Sequence, residues 1–228
     1  MKKMFDTAAG KTGAADPSVT VWKRELRRSA RRTRDAIDPA VRAAWSGVIA
    51  EKILRSPALE KAEHVLCYVS FGSEVMTDGI INHILEHTDK KVYIPKIIHP
   101  EQERIRHGRK PRPEMEFYRI TTLQDLQASD WGIREPEGDP DKRFPGEMFA
   151  GGPAGSPDDL LVLMPGIAFD RQRGRIGYGG GFYDRYLEAL GPCRTIALAY
   201  SAQILDRVPV RPFDIRPERI ITESEEIF

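Results

Sequence analysis

Five consecutive residues, Leu160-Leu161-Val162-Leu163-Met164, are apolar, and Pro165-Gly166 stops them. So short a run, without alternation, suits a strand covered on both faces. Such strands belong to parallel sheets, where crossover helices can cover both surfaces. Other segments keep the same rhythm. Val65 to Val69, Lys91 to Ile94, Met115 to Ile120, Thr195 to Tyr200 and Arg219 to Thr222 read as strands, and Thr77 to His87 and Phe182 to Leu190 as helices. Two helices precede them. One is expected from Thr20, as N-cap, to Ile37, with a stripe of Trp22, Leu26, Ala30, Thr33 and Ile37. The other runs from Asp38-Pro39 to Leu54 with Val41, Trp45, Val48, Ile49 and Ile53 on one side. The predicted class is three-layer α/β, a largely parallel sheet flanked by helices.

At 228 residues the chain suits a single domain over 20–228, preceded by a flexible tail over 1–19 that carries no period. Residues 99–113 are charged and proline-bearing, and 135–158 hold five prolines and five glycines; both read as surface loops or insertions. The N-terminus has positive charge but no apolar stretch behind it, and no run is long enough to span a bilayer. Cys67 and Cys193 read as inert thiols in a reducing compartment. The expectation is a cytoplasmic protein with no membrane partner. A net charge of +1 gives no strong global field for nucleic acid.

The chemistry concentrates in Gly174-Arg175-Ile176-Gly177-Tyr178-Gly179-Gly180-Gly181-Phe182-Tyr183-Asp184-Arg185. Glycines let the backbone turn sharply and aim several N–H groups at one anion, and the helix that follows points its positive end at the same place. The loop has neither P-loop nor dinucleotide-fingerprint spacing, and a purely structural bend is the competing reading. A second feature is the basic segment Lys23 to Arg34, with seven cations against one acid, Glu25. Lys23, Arg27 and Arg31 share a helical face. That face reads as a polyphosphate clamp, a solvated surface or an RNA-binding helix. Glu74, after the Val65–Val69 strand, can accept from a heterocycle's N–H groups or favour the start of the next helix. Asp184 and Asp214 are open to a metal role or to ordinary helix-start and turn roles. No nucleophile–histidine–acid arrangement stands out, so charge stabilisation of phosphoryl transfer is the chemistry expected.

From about Lys23 onward these stretches resemble the 5-formyltetrahydrofolate cyclo-ligase (methenyltetrahydrofolate synthetase) family. The anchors are Lys23-Arg24-Glu25-Leu26-Arg27, Glu74 with Thr77, Trp131-Gly132-Ile133-Arg134-Glu135-Pro136, and above all Met164-Pro165-Gly166-Ile167-Ala168-Phe169-Asp170 leading into the glycine loop. The resemblance implies a fold like the ribose-phosphate isomerase and CoA-transferase group. It also implies ATP- and Mg2+-dependent closure of 5-formyltetrahydrofolate to 5,10-methenyltetrahydrofolate, with release of ADP and phosphate. By position, Lys23, Arg24, Arg27, Arg175, Gly177, Gly179, Gly180, Gly181 and Asp184 would hold ATP. Asp184 and Asp214 would hold Mg2+. Val69, Glu74, Trp131, Tyr178 and Phe182, with Gly179 to Gly181, would hold the folate. Arg175 and Tyr183 would act at the reacting centre. Phe182 stands where the family pattern leads one to expect tyrosine, and Met76 where an acid is common. The implied partners are the two small substrates, without nucleic acid, for a monomer or weak homodimer. The alternatives are another nucleotide- or sugar-phosphate-using enzyme on this fold, or a folate- or RNA-binding relative without catalysis.

Overall fold

The computed structural model describes residues 17–99, 112–129, 132–146, 149 and 156–228. In chain order the elements are α1 (Pro17–Asp35), α2 (Pro39–Leu54), α3 (Pro57–Lys61), β1 (His64–Cys67), α4 (Asp78–His87), β2 (Lys91–Ile98), β3 (Glu114–Ile120), β4 (Leu126–Ala128), β5 (Arg134–Pro136), β6 (Leu160–Met164), β7 (Ala168–Asp170), β8 (Arg175–Ile176), α5 (Phe182–Leu190), β9 (Arg194–Leu198), β10 (Ile204–Leu205), β11 (Arg219–Ile221) and β12 (Glu226–Ile227).

A seven-stranded sheet in the order β12-β11-β9-β6-β1-β2-β3 forms the centre. Its inner strands are parallel, and β3 and β12 close the edges antiparallel. All of β6 is buried, as its continuous apolar run requires. The period-two alternation divides it between two cores. Leu161 and Leu163 pack with Val65, Cys67 and Val92 beneath Ile49 and Ile53 of α2 and Ile80, Ile81 and Ile84 of α4. Leu160, Val162 and Met164 pack with Leu66 and Tyr93 against Leu187 and Leu190 of α5. Helices therefore cover both faces of the sheet.

Local chemistry sets the helix limits. The Asp38 carboxylate accepts from the Ala40 amide at 2.8 Å, and Pro39 opens α2 where no N–H is needed. The α2 stripe is rotated from the expected one. Val41 and Val48 are exposed, and Ser46 is buried instead. The Ser46 hydroxyl is the cause: it lies 2.9 Å from the Tyr200 hydroxyl and accepts from the Met76 amide. Helix α1 begins at Pro17, so residues 17–19 belong to it, and the rest of the expected tail lies outside the described residues. Thr20 is no cap; its hydroxyl accepts from Arg211.

The 135–158 segment is more than a loop. Its first residues pair as β5 with β4, and Phe144 is buried 4.9 Å from the Tyr93 ring. Residues 147–148 and 150–155, like 100–111, lie outside the described residues. Among the described residues no helix is long and apolar enough to cross a membrane.

From β1 the chain crosses through α4 to β2 on one side, while β6, β9 and β11 lie on the other. The strand order thus reverses between β1 and β6, and a crevice opens beyond their carboxyl ends, where open α/β sheets bind ligands.

Two substitutions on α2 test this packing. Ile53 is wholly buried, so Ile53→Ala should cost about 2–5 kcal/mol. Gly47 is exposed with open space at its Cβ position, so Gly47→Ala should gain roughly 0.5–1 kcal/mol. Urea midpoints should move in opposite directions.

Candidate active site

The crevice holds a cavity of about 790 Å³. Its walls come from α1, the segment after β1, the β6–α5 segment and the turn around Asp214. One half is charged. The Lys23 ammonium, on a residue only 6% exposed, pairs with the Asp214 carboxylate, which also accepts from the Arg211 amide at 2.6 Å. Arg175 donates to Asp184 at 2.6 Å, and the same oxygen accepts from the Ile215 amide. Arg27 donates through Nε to the Gly177 carbonyl at 2.8 Å. Burial, with Arg211 nearby, pulls the Arg27 guanidinium below its usual range. The cations are held in place by the protein rather than dispersed into water.

The glycine loop lies along this half. Gly179 and Gly181 have φ of +102° and +65°, values that L side chains rarely adopt. A Cβ on Gly180 would sit 2.5 Å from the Phe182 ring. Gly181 caps α5 without a side-chain bond, so the helix presents its N-terminal amides at the cavity wall.

The other side is richer in apolar residues, Val69, Pro95, Ile97, Met115 and Ile133, with Arg112, Arg134 and Glu135 beside them. A single buried carboxylate, Glu74, stands in it at 8% exposure. Its Oε2 accepts from the Phe71 amide at 2.9 Å, and its Oε1 accepts from the Tyr178 hydroxyl. Burial raises the Glu74 pKa; the Tyr178 bond, the Phe71 amide, Arg34 and Arg31 pull it back. Tyr183 stands where the halves meet, with Arg175 5.8 Å from its ring centre. The Tyr183 hydroxyl and Arg175 Nε are buried with no hydrogen-bond partner among the described residues. Burial also holds the Tyr183 phenol well above its ordinary pKa.

The cavity brings together Lys23, Arg27, Val69, Glu74, Arg175, Gly177, Tyr178, Gly179, Gly180, Gly181, Phe182, Tyr183, Asp184 and Asp214. Arg24 is exposed and is not brought to the cavity wall, because α1 turns the Lys23–Arg27–Arg34 side inward. Trp131 lies outside the described residues. Arg31, Arg112, Arg211 and Phe71 also line the walls, and Arg34 is buried behind them. Sequence reasoning missed Arg34. The available signal was its place eleven residues after Lys23, with Arg27 and Ala30 between, on one side of the helix.

A crevice of this composition, at the reversal point of a parallel sheet, marks an α/β enzyme. The chain belongs to the 5-formyltetrahydrofolate cyclo-ligase family, whose model matches residues 19–223. The mitochondrial 5-formyltetrahydrofolate cyclo-ligase of Arabidopsis thaliana is 30% identical over 224 residues, covering 91% of this chain and 76% of its own. The Escherichia coli 5-formyltetrahydrofolate cyclo-ligase is 26% identical over 197 residues, covering 86% and 97%. The NMR structure of Aquifex aeolicus 5,10-methenyltetrahydrofolate synthetase superposes with a TM-score of 0.67 at 25% identity, covering 90% and 91% of the two chains.

The buried carboxylate makes stability depend on pH. Folding raises the Glu74 pKa, so the unfolded chain releases this proton first as pH rises. Wild type should therefore lose stability relative to Glu74→Gln from the ordinary carboxylate range up to the folded-state pKa, then run parallel to it. Urea midpoints of both proteins across that range check this. A difference that does not change with pH would remove the buried charge from Glu74.

Proposed function

We propose that the chain converts 5-formyltetrahydrofolate to 5,10-methenyltetrahydrofolate at the expense of ATP. One observation carries this reading: a cavity lined by Lys23, Arg27, Arg175, Asp184 and Asp214 extends to a more apolar side that holds the buried Glu74, and the glycine loop lines it. That division matches a polyphosphate on one side and a flat heterocycle with N–H donors on the other.

The reaction needs a leaving group. A formyl oxygen bound to carbon beside N5 is a poor one, so it first attacks the γ-phosphorus of ATP and ADP departs. N10 then attacks the activated carbon. The C–O bond breaks, inorganic phosphate leaves, N10 gives up its proton, and the methenyl bridge joins N5 to N10. This sequence needs no side-chain nucleophile. It needs two substrates in line and charge held ready for the transferring phosphoryl group.

The residues supply these. Lys23, Arg27, Arg175 and the loop amides serve the phosphates with charge-assisted hydrogen bonds. Glu74 accepts from the pterin's N–H groups, and Val69 and Phe71 border the ring. Arg175 and Tyr183, which line the cavity, take the reacting centre, where charge develops on the formyl oxygen. Phe182 and Tyr178 exclude water from the junction.

Asp184 and Asp214 are hard oxygen donors, and Mg2+ is typically held by one or two carboxylates with substrate phosphates completing its shell. The pair fits that role. No larger group of His, Cys, Asp or Glu able to hold a metal occurs among the described residues. When bound, Mg2+ would neutralise charge on the nucleotide's phosphates.

Mixing the protein with Mg-ATP and 5-formyltetrahydrofolate should give an ATP-dependent rise in the near-ultraviolet absorbance of the methenyl bridge; no rise would sink the reading. Asp184→Asn should fold and raise the Mg2+ concentration needed for half-maximal rate by about tenfold or more. An unchanged requirement would remove Asp184 from the metal. Glu74→Gln should raise the folate KM by roughly 10–100-fold, the worth of a hydrogen bond to a charged group, and the ATP KM far less. The reverse pattern would reassign Glu74.

A further inference from the structure

Arg34 sits in the last turn of α1, is 2% exposed, and does not reach the cavity wall. Its Nε donates to the Ser73 hydroxyl at 2.9 Å. One terminal nitrogen donates to the Tyr178 hydroxyl oxygen at 3.0 Å and, more weakly, to the Gly166 carbonyl at 3.4 Å. The Tyr178 hydroxyl in turn donates to Glu74, and the Ser73 hydroxyl donates to Asp35.

The order of donors matters. A hydroxyl has one proton. Because the Tyr178 oxygen accepts from a cation that can only donate, its own proton is directed to Glu74. The chain Arg34 to Tyr178 to Glu74 is polarised in one direction, from a buried guanidinium to a buried carboxylate through a part-exposed tyrosine. The same guanidinium holds the loop before α4 through Ser73, the residue next to Glu74. It thus fixes Glu74 from both sides without itself lining the cavity.

We infer that Arg34 is a positioning residue for the folate side of the site, acting through Tyr178 to keep Glu74 ionised and aimed at the heterocycle. This rests on the reading of Glu74 as the pterin acceptor. The titratable and charged groups facing Glu74 are Arg31 and Arg34 from α1, Tyr68 beyond β1, Tyr178 from the glycine loop and Tyr183 from α5. Of these, Arg34 alone bonds to the residue that donates to Glu74.

A purely structural role predicts something different. If Arg34 only anchored α1, its loss would displace Lys23 and Arg27 and damage the phosphate side. Arg34→Met distinguishes the two. The variant leaves its former partners bonded: Tyr178 to Glu74, Ser73 to Asp35, and the Gly166 carbonyl to Gln203 Nε2 at 2.9 Å. Methionine also fills much of the same space with a flexible apolar chain.

The experiment is calorimetric titration of the full chain, separately with 5-formyltetrahydrofolate and with Mg-ATP, over a series of pH values. A heterocycle donating N–H groups binds the ionised carboxylate, so its affinity is full above the Glu74 pKa and falls below it. In Arg34→Met that falling limb should move to higher pH by about one unit, making folate binding about tenfold weaker on the limb, while Mg-ATP affinity stays within about twofold. Arg34→Lys, which returns the charge, should recover part of the shift. In a Tyr178→Phe background, Arg34→Met should add less than about twofold. If the limb does not move, or Mg-ATP affinity falls as far as folate affinity, the positioning role is overturned. If wild type does not bind the folate at all, the functional reading falls and takes this inference with it.

Discussion

Cations on one face of a single helix can be turned into a protein only if each meets an acceptor there, and this requirement organises the molecule around α1. Lys23 meets Asp214, Arg27 meets the Gly177 carbonyl, and Arg34 meets Ser73, Tyr178 and Gly166. An unpaired charge at these depths would cost several kcal/mol. The acceptors therefore have to be in place, and they come from segments that only the sheet brings together. The β1–α4 loop, the turn after β6, the glycine loop and the Asp214 turn meet at one end of the strands because β1 and β6 are neighbours there. The fold supplies the acceptors, and α1 supplies the charge that makes the crevice more than an apolar groove.

The sheet was legible in the sequence where burial is two-sided. Leu160 to Met164 announces an inner strand because every residue is apolar, and all of it is buried. The α4 stripe of Ile80, Ile81 and Ile84 was legible because burial on one side leaves apolar residues at helical spacing. The antiparallel edges were not: β3 was read as a strand without its direction, and the two-residue β12 was not read at all. Within α2 the pattern misplaced the buried face by trusting Val41 and Val48, while Ser46 was drawn inward by hydrogen bonds that hydropathy does not register.

The site was legible as a set of glycines, cations and acids, and much less as a geometry. Composition alone could not say which side of α1 faces inward, and Arg34 was passed over. A buried arginine is decided by acceptors far away in sequence: Tyr178 lies 144 residues beyond Arg34 and Gly166 lies 132. The glycine loop was recognisable because its constraint is local. Its positive φ values and the crowded Cβ position at Gly180 concern only its immediate neighbours.

The pairing of Lys23 with Asp214 spans 191 residues of chain. During synthesis the helix that carries the charge is made near the beginning, and its counter-charge emerges near the end. For almost the whole of that interval α1 is an amphipathic cation without a seat, and its contacts rank among the most distant in sequence that the domain has to make. The crevice is consequently closed by a contact between segments 191 residues apart. Any change that removes the Asp214 turn therefore takes away the acceptor of Lys23 and one wall of the crevice together.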